Sequence, residues 1–541
     1  MDTPAAAATA DAASGLRRVA IDPLSRVEGH GKVTLLLDAD NRVRQARLHI
    51  VEFRGFEAFV CGRPYWEVPV MVQRLCGICP VSHHLAASKA IDAALGLRAV
   101  PPAAELQRRL MHHGQILQSH ALHFFHLSSP DLLFGFGSEA GRRNILAVAE
   151  AHPDIARQGV LLRQFGQDVI FATAGKKVHG TGSVPGGVNR ALPRAERDAL
   201  AARLPQVLAW CEQAVDLVAR LHEADAALYD GFGLAPMGML SLLGPDGALE
   251  LYDGRLTVSD AAGAVTVDGA DPAAYLGLID EEVRPWSYMK FPYLRALGPE
   301  LGSYRVGPLA RVQNCRRIAT PRAEARRLQF RARAAGGPAG VQHGALATHW
   351  ARMIEMLHAA EMIGRLLDDE ALLGTELRAA LPPGRGGEGG EGGEGIGVIE
   401  APRGTLIHHY RIGPDDLVTW CNLIVSTTHN NQALHDSVRA VADAHFDGRE
   451  VTEGLLNHIE VAIRAYDPCL SCATHALGSM PLEVRALDAR GRDLGGLVRA
   501  GDGRVEPLPV SATAAAAAGA AAAGAAVASV GVPAVRPREG T

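Results

Sequence analysis

Two short cysteine pairs near opposite ends of the chain constrain it more than any other feature. They are Arg74-Leu75-Cys76-Gly77-Ile78-Cys79-Pro80 and Asp467-Pro468-Cys469-Leu470-Ser471-Cys472-Ala473-Thr474-His475. Each pair presents thiols at i and i+3, so a fold that joins the two segments offers four soft ligands at one point. Three readings compete for such a set: a structural zinc site, a redox dithiol and a catalytic transition-metal centre. Zinc ribbons set their pairs roughly 15–20 residues apart, whereas here most of the chain lies between them. A thioredoxin-like dithiol needs a βαβ pattern, which surrounds neither pair. Spacing alone leaves zinc and a catalytic metal both open.

With 541 residues the chain can bury a large core, and length suggests two to four units. Charged residues at 21% and apolar residues at 48% describe a soluble globular protein. A net charge of -5 argues against a nucleic-acid binder, whose footprint is a concentrated basic surface. Beyond the two pairs, Cys61, Cys211, Cys315 and Cys421 are scattered singly. They read as small buried hydrophobes in a reducing compartment, not as a disulfide framework. Residues 1–15 are Ala-rich and acidic and lack the basic and apolar regions of a signal peptide. The longest uncharged run, Ser511 to Val535, is mostly Ala and Gly and reads as a flexible tail, not a membrane span.

Periodicity predicts a mainly α chain with small β subdomains, an α+β class. Alternation between Val19 and Val51, with a turn at Asp40-Asn41, predicts a hairpin with Glu28 and His30 at its start. Pro80 suits the first turn of a helix that runs from Ser82 to Leu95 and ends near Gly96. Cysteines at that N-terminus feel the positive end of the dipole and ionise more readily. Long helical patterns cover Glu105–Leu127, Ser138–Ala151, Arg194–Tyr229 and Leu346–Leu367; in the last, Trp350, Met353, Ile354 and Leu357 mark one buried face. Between Gly244 and Val267, the runs Leu249–Tyr252 and Leu256–Val258 predict a small, partly exposed sheet. Residues 384–395 are Gly/Glu low complexity and read as a flexible loop. Their literal GxGxxG, Gly387 to Gly392, is a poor dinucleotide site, since its glutamates repel phosphate and no strand precedes it. His120, His123 and His126 share one side of a helix, but with no carboxylate or cysteine beside them they read as hydrogen-bonded core histidines.

Five stretches taken together resemble the large, catalytic subunit of nickel–iron hydrogenases. They are Arg26-Val27-Glu28-Gly29-His30, Arg54-Gly55-Phe56-Glu57, Arg74 to Pro80 with His83, Ala401-Pro402-Arg403-Gly404, and Asp467 to His475. They occur in the family's order and cover about the first 475 residues. Trp286 to Leu294 and His113 to His120 resemble the soluble, NAD-linked bidirectional subgroup in particular. The resemblance implies the family's large-subunit fold, built on a long-helix bundle. It also implies an enzyme that splits H2 heterolytically at a nickel–iron centre whose iron carries carbon monoxide and cyanide. By position in the motif, Cys76 and Cys469 would be terminal nickel ligands, and Cys79 and Cys472 would bridge nickel to iron. Cys469 would accept the first proton and a partly buried Glu28 would take it onward. Arg403 and Thr427 would donate to a cyanide, and His83 would hydrogen-bond a bridging thiolate. Glu57, His475 and the Leu423 carbonyl would bind a magnesium ion. Many relatives carry an aspartate where Ser119 falls.

The resemblance also implies a partition of the chain. Residues 1–15 form a tail, 16–475 the hydrogenase domain, and 476–541 a C-terminal extension that a maturation protease removes after His475. This chain has neither a cysteine pattern for an iron–sulfur cluster nor a credible FMN or NAD site. Electrons would therefore pass to an iron–sulfur small subunit, then to a diaphorase pair with FMN and iron–sulfur clusters that reduces NAD, all in the cytoplasm. Two alternatives stand beside this reading: the same chemistry coupled to NADP or F420, and a non-catalytic scaffold like the related subunit of respiratory complex I.

Overall fold

The computed structural model describes residues 16–334, 340–381, 392–446, 448–474, 482–487, 493–499 and 504–508. The N-terminal alternation forms a three-stranded antiparallel sheet of β1 (Arg17–Ile21), β2 (Gly31–Leu37) and β3 (Val43–Ile50), one strand more than the expected hairpin. Asp38 closes the β2–β3 turn by accepting from the N–H groups of Asp40 and Arg42 at 3.0 and 2.9 Å, as Asx residues do. Helix α1 (Pro80–Ala94) starts at its proline, with Gly96 at φ 74° just beyond its end, close to the predicted span.

Four long helices follow the chain: α2 (Pro102–Leu122), α3 (Pro153–Ala174), α4 (Leu204–Ala224) and, later, α6 below. Between them come β4 (Gly238–Leu243), β5 (Arg255–Ser259) and β6 (Val265–Ala270) in one sheet, then the hairpin β7 (Ile279–Glu282) and β8 (Phe291–Leu294). A short helix α5 (Pro308–Asn314) precedes α6 (Ala347–Asp368). The antiparallel sheet β9 (Gly393–Ala401), β10 (Gly404–Ile412) and β11 (Val418–Ile424) leads to α7 (Asn431–Phe446) and α8 (Glu453–Ala465). A three-stranded sheet of Leu482–Leu487, Asp493–Arg499 and Val505–Leu508 lies in the expected extension. Among the described residues no helix is long and apolar enough to cross a membrane.

Several expected elements differ for local reasons. The Glu105–Leu127 pattern is α2 followed by a π-helical turn, His123–Ser128. Ser138–Ala151 holds a 3-10 turn at Ala140–Arg142 and is α-helical only from Ile145, where the Asn144 side chain caps the N–H groups of Leu146 and Ala147. Arg194–Tyr229 is three helices: α4 restarts with Pro205 in its first turn, and Asp225 caps the next at Leu228. Leu249–Tyr252 is not a strand; the turn before it folds the segment back, and the Leu249 N–H donates to the Arg317 carbonyl at 2.9 Å. Residues 393–395, read as part of a flexible loop, begin β9, while residues 384–391 of that loop, the N-terminal tail and the Ala-rich tail lie outside the described residues. Cys211, Cys315 and Cys421 are buried as expected, but Cys61 is exposed, at the end of a single helical turn (Phe56–Phe59) on the surface.

Helix α6 sits at the centre of the bundle, packed against α2, α4 and α5, and it is buried nearly all round instead of along one stripe. Such a helix admits charge only where the charge is paired. Glu355 meets Arg311 of α5 at 2.6 Å and His120 of α2 at 2.8 Å, and Arg311 reaches Glu400 of β9 at 2.6 Å. Burial alone would raise the Glu355 carboxyl, but Arg311 and His120 outweigh it and hold it at about 2. This cluster ties bundle to sheet. On the sheet's other side, α1 lies directly on β9: a Cβ on Gly395 or Gly397 would fall 2.0 Å from the Ala90 carbonyl or 2.1 Å from that of Ala86.

Two buried histidines, His84 and His435, are fixed in neutral form. His84 donates from Nδ1 to the Pro69 carbonyl at 2.7 Å and accepts the Ser183 N–H on Nε2 at 2.9 Å. His435 does the same with the Asn431 carbonyl (3.0 Å) and the Leu48 N–H (3.2 Å). A second proton has no acceptor in either place, and burial pushes both imidazoles down to about 4 from 6.5. Between those values only the unfolded chain binds the proton, so stability is full above pH 6.5 and drains as pH falls toward 4. At about 1.4 kcal/mol per unit and site, thermal unfolding should show a midpoint that is flat above pH 7 and drops steeply between about pH 6 and 4.5.

Candidate metal centre

The four sulfurs converge because two backbone loops cross at close range. The second loop follows α8 and carries Asp467 at φ 55°, a left-handed turn that sends Cys469 back across the N-terminal loop. There the Glu28 carbonyl accepts the Leu470 N–H at 2.9 Å, and Glu28 and Cys469 form an isolated parallel bridge. Gly29, at φ 84°, permits this approach: a Cβ would sit 2.6 Å from the Ser471 nitrogen and 2.9 Å from the Leu470 Cβ. Beyond Cys472 the Thr474 carbonyl accepts the N–H groups of Arg54 and Gly55 at 3.0 and 3.3 Å. The first pair ends a 3-10 turn and enters α1, where Gln115 and Gln118 of α2 both donate to the Ile78 carbonyl at 2.8 Å.

Cys76, Cys79, Cys469 and Cys472 are all buried, with their sulfurs within 4.8 Å of one another. Cys76 and Cys469 are 3.0 Å apart, Cys469 and Cys472 3.0 Å, and Cys79 and Cys472 3.8 Å. These distances are far beyond a disulfide bond of about 2.05 Å. Hydrogen bonds from the other three cysteines hold the Cys79 thiol well below its usual range, while burial drives Cys469 and Cys472 the other way. Such a pocket tolerates few negative charges by itself, so a set of thiolates needs a cation among them. The donor set fits soft metals, zinc included.

Around the sulfurs the polar groups are unusually sparse and directed. Glu28 is half-buried; its Oε2 accepts the Cys469 thiol at 3.0 Å and the Ser471 N–H at 3.2 Å, and its Oε1 takes a short hydrogen bond from the Ser471 hydroxyl. The Thr427 hydroxyl oxygen accepts the Cys469 N–H at 3.0 Å, which leaves its proton to give. Arg403 donates to the Asp467 carboxylate at 2.9 Å, while its Nη1 is buried with no partner among the described residues. Burial works against the charge of Arg403, but Asp467 and the neighbouring sulfurs outweigh it and keep the guanidinium charged well above its usual range. Cys79, His83, Pro402, Arg403, Thr427 and Cys469 line one small, largely apolar cavity. An orphan cationic N–H beside soft donors suits small anionic ligands on a metal.

Elsewhere the expected residues meet in part. The Leu423 N–H donates to Glu57 Oε1 at 2.9 Å, and burial raises the Glu57 carboxyl against the pull of Lys290. His475 lies outside the described residues. Glu281 and Lys290, paired at 2.9 Å near Glu57, were not anticipated, and no local signal marks them. Asp467 and Ser471 stand inside the cysteine motif without a role assigned from sequence; their proximity to Arg403 and Glu28 exists only in the fold. His120 and His123 are hydrogen-bonded in the core, the latter to the Arg464 carbonyl at 2.6 Å. Ser119 is fully buried, and its hydroxyl has no partner among the described residues.

Comparison with known proteins bears directly on which metal the sulfurs serve. The family described as nickel-dependent hydrogenase matches residues 54–133 and 257–475, and a HoxL-like group matches residues 18–53. The chain is 47% identical over 488 residues to the NAD-reducing hydrogenase HoxS subunit beta of Cupriavidus necator, covering 88% of this chain and 98% of that one. It is 38% identical to a chain of the F420-non-reducing hydrogenase vhc of Methanococcus voltae, over 86% of this chain and 96% of the other. A solved NAD+-reducing [NiFe]-hydrogenase in the H2-reduced state superposes with a TM-score of 0.81 at 59% identity, over 85% of this chain and 99% of its own. Replacing Gly29 by Ala should cost roughly 1–3 kcal/mol in backbone strain alone and push Glu28 away from Cys469. Calorimetry of the purified complex should show a lower Tm, and elemental analysis less bound nickel.

Proposed function

Because the chain belongs to the nickel-dependent hydrogenases, as their large subunit, we propose that it is the catalytic subunit of an enzyme that reversibly cleaves H2 and delivers the electrons to NAD. The observation that carries the reading is the buried four-sulfur cluster with the Glu28 carboxylate set against one of its members. When bound, a nickel–iron group supplies a soft Lewis acid that polarises H2 for heterolytic cleavage. Cys76, Cys79, Cys469 and Cys472 would hold that group through their sulfurs, Cys76 and Cys469 on nickel alone and Cys79 and Cys472 shared with iron. Arg403 Nη1, which has no partner among the described residues, and the Thr427 hydroxyl proton would donate to cyanide on that group, and the small apolar cavity would keep water from its carbon monoxide. Cys469 Sγ accepts the proton, and Glu28 Oε2, 3.0 Å away, takes it on. The two bonds from Ser471 keep that carboxylate aimed at the sulfur instead of at solvent. Glu57 and the Leu423 carbonyl, with His475, would hold a magnesium ion.

Electrons leave through an iron–sulfur small subunit to a diaphorase module with FMN and iron–sulfur clusters, in a cytoplasmic hetero-oligomer. Identity to an NAD-reducing relative supports NAD over NADP or F420 as acceptor. Four cysteines brought together in one pocket weigh against a scaffold without metal. Residues 16–475 form the working domain, and a maturation protease removes 476–541 once nickel is in place.

The co-purified complex should contain nickel and iron and reduce NAD with H2; absence of both metals from matured protein would sink the assignment. Glu28→Gln should retain both metals yet lose H2-dependent dye reduction by about 10²–10⁴-fold, the range for a positioned proton-transfer group. Intact-mass measurement of active enzyme should place the large subunit's C-terminus at His475, and active protein retaining the extension would refute the processing step.

A further inference from the structure

His83, the histidine one helical turn beyond Cys79, is not the end of its own hydrogen-bond chain. Its Nδ1 lies 3.1 Å from Nε2 of His408, and Nδ1 of His408 lies 2.6 Å from the Tyr410 hydroxyl. All three side chains are essentially inaccessible, at 1%, 0% and 0% exposure. Strand geometry explains why they meet. His408 and Tyr410 are two apart on β10 and so face the same side, toward α1. The residues opposite them on β9 are Gly397 and Gly395. With no side chains there, α1 settles onto the backbone of β9, and His408 reaches His83 across the bare strand.

The proton positions follow from donor and acceptor accounting. Tyr410 is neutral, since burial pushes its phenol well above its usual range. Its O–H must donate, and His408 Nδ1 is the acceptor set beside it among the described residues. A buried hydroxyl that did not donate would cost about 1–3 kcal/mol. His408 therefore carries its proton on Nε2 and donates to His83 Nδ1. His83 in turn carries its proton on Nε2. Cys79 and His83, at i and i+4, share a helix face and line the same cavity.

We infer that Tyr410 and His408 are positioning residues that lock His83 in the tautomer donating from Nε2 to Cys79 Sγ, so that this sulfur carries one fixed hydrogen bond. The inference rests on the proposed role of Cys79 as a metal ligand. Hydrogen bonds to a ligating sulfur draw electron density from it and raise the potential of the centre. Without the relay the His83 ring can take either tautomer, and only one of them presents a proton to sulfur.

The test uses the matured complex with three variants: His408→Gln, whose amide NH2 can replace Nε2–H toward His83; His408→Leu, which cannot; and Tyr410→Phe, which keeps the ring volume. Nickel and iron content is measured first, then the infrared bands of the diatomic ligands and the midpoint potential of the centre. Wild type and His408→Gln should show one set of bands at one potential. His408→Leu and Tyr410→Phe, equally loaded, should show a second set at lower wavenumber and a lower potential. Unshifted single sets in both of the latter would overturn the relay, as would an equal shift in His408→Gln. Should His408→Leu fail to take up metal, Tyr410→Phe decides by the same criterion. A wild-type complex without nickel and iron would instead remove the catalytic reading on which the relay depends.

Discussion

Everything in this protein depends on two distant loops held within hydrogen-bonding distance of each other. The Glu28 carbonyl on the Leu470 N–H and the Thr474 carbonyl on Arg54 and Gly55 are ordinary backbone bonds. They are placed where side chains cannot intrude, because Gly29 leaves room for the backbone of Ser471. Backbone bonds of this kind are worth about 1 kcal/mol each, too little to force the loops together. The loops are delivered instead by what lies behind them. Arg464 of α8 and Arg26 of the first loop share the buried Asp131, at 2.8 and 2.7 Å, so both arms are anchored on one carboxylate.

A second layer of buried charge surrounds that anchor. Arg311, Glu355 and Glu400, with neutral His120 hydrogen-bonded to Glu355, join α2, α5, α6 and β9 without any exposure to water. Arg403 and Asp467 add a further pair beside the sulfurs. Apolar replacements of equal volume often make a protein as stable or more so, so stability does not explain this density of ions. Fixed orientation does. Glu355 and Glu400 are each held by partners from different elements, and the resulting field around the sulfurs is set before any metal enters.

How much of this was legible in the sequence depended on whether the signal was chemical or spatial. That the cysteine pairs gather with Glu28, His83 and Arg403 was legible because these residues stood in compact, ordered motifs. The hairpin at Asp40, the proline start of α1 and the glycine near its end were legible from local backbone preference. The partition of the Arg194–Tyr229 pattern was not, since apolar periodicity runs on through Pro205 and Asp225. Cys61 looked like its buried namesakes because composition carries no sense of inside and outside. Gly393 to Gly395 looked like a continuation of low complexity; in the fold they begin a strand whose face is bare at Gly395 and Gly397. His408 gave no hint of its place, since its partner is 325 residues away.

That stripped strand has a mechanical corollary. Most helices rest on a sheet through a cushion of rotatable side chains, which absorbs small movements by changing rotamer. Here the carbonyls of Ala86 and Ala90 stand where Gly397 and Gly395 would otherwise carry methyl groups. Covalently stiff backbone meets backbone, with no compliant layer between. A shift of the sheet is thus handed on nearly undiminished to the helix that opens at Cys79. The spacing of the four buried sulfurs therefore acts as a strain gauge for the sheet beneath them.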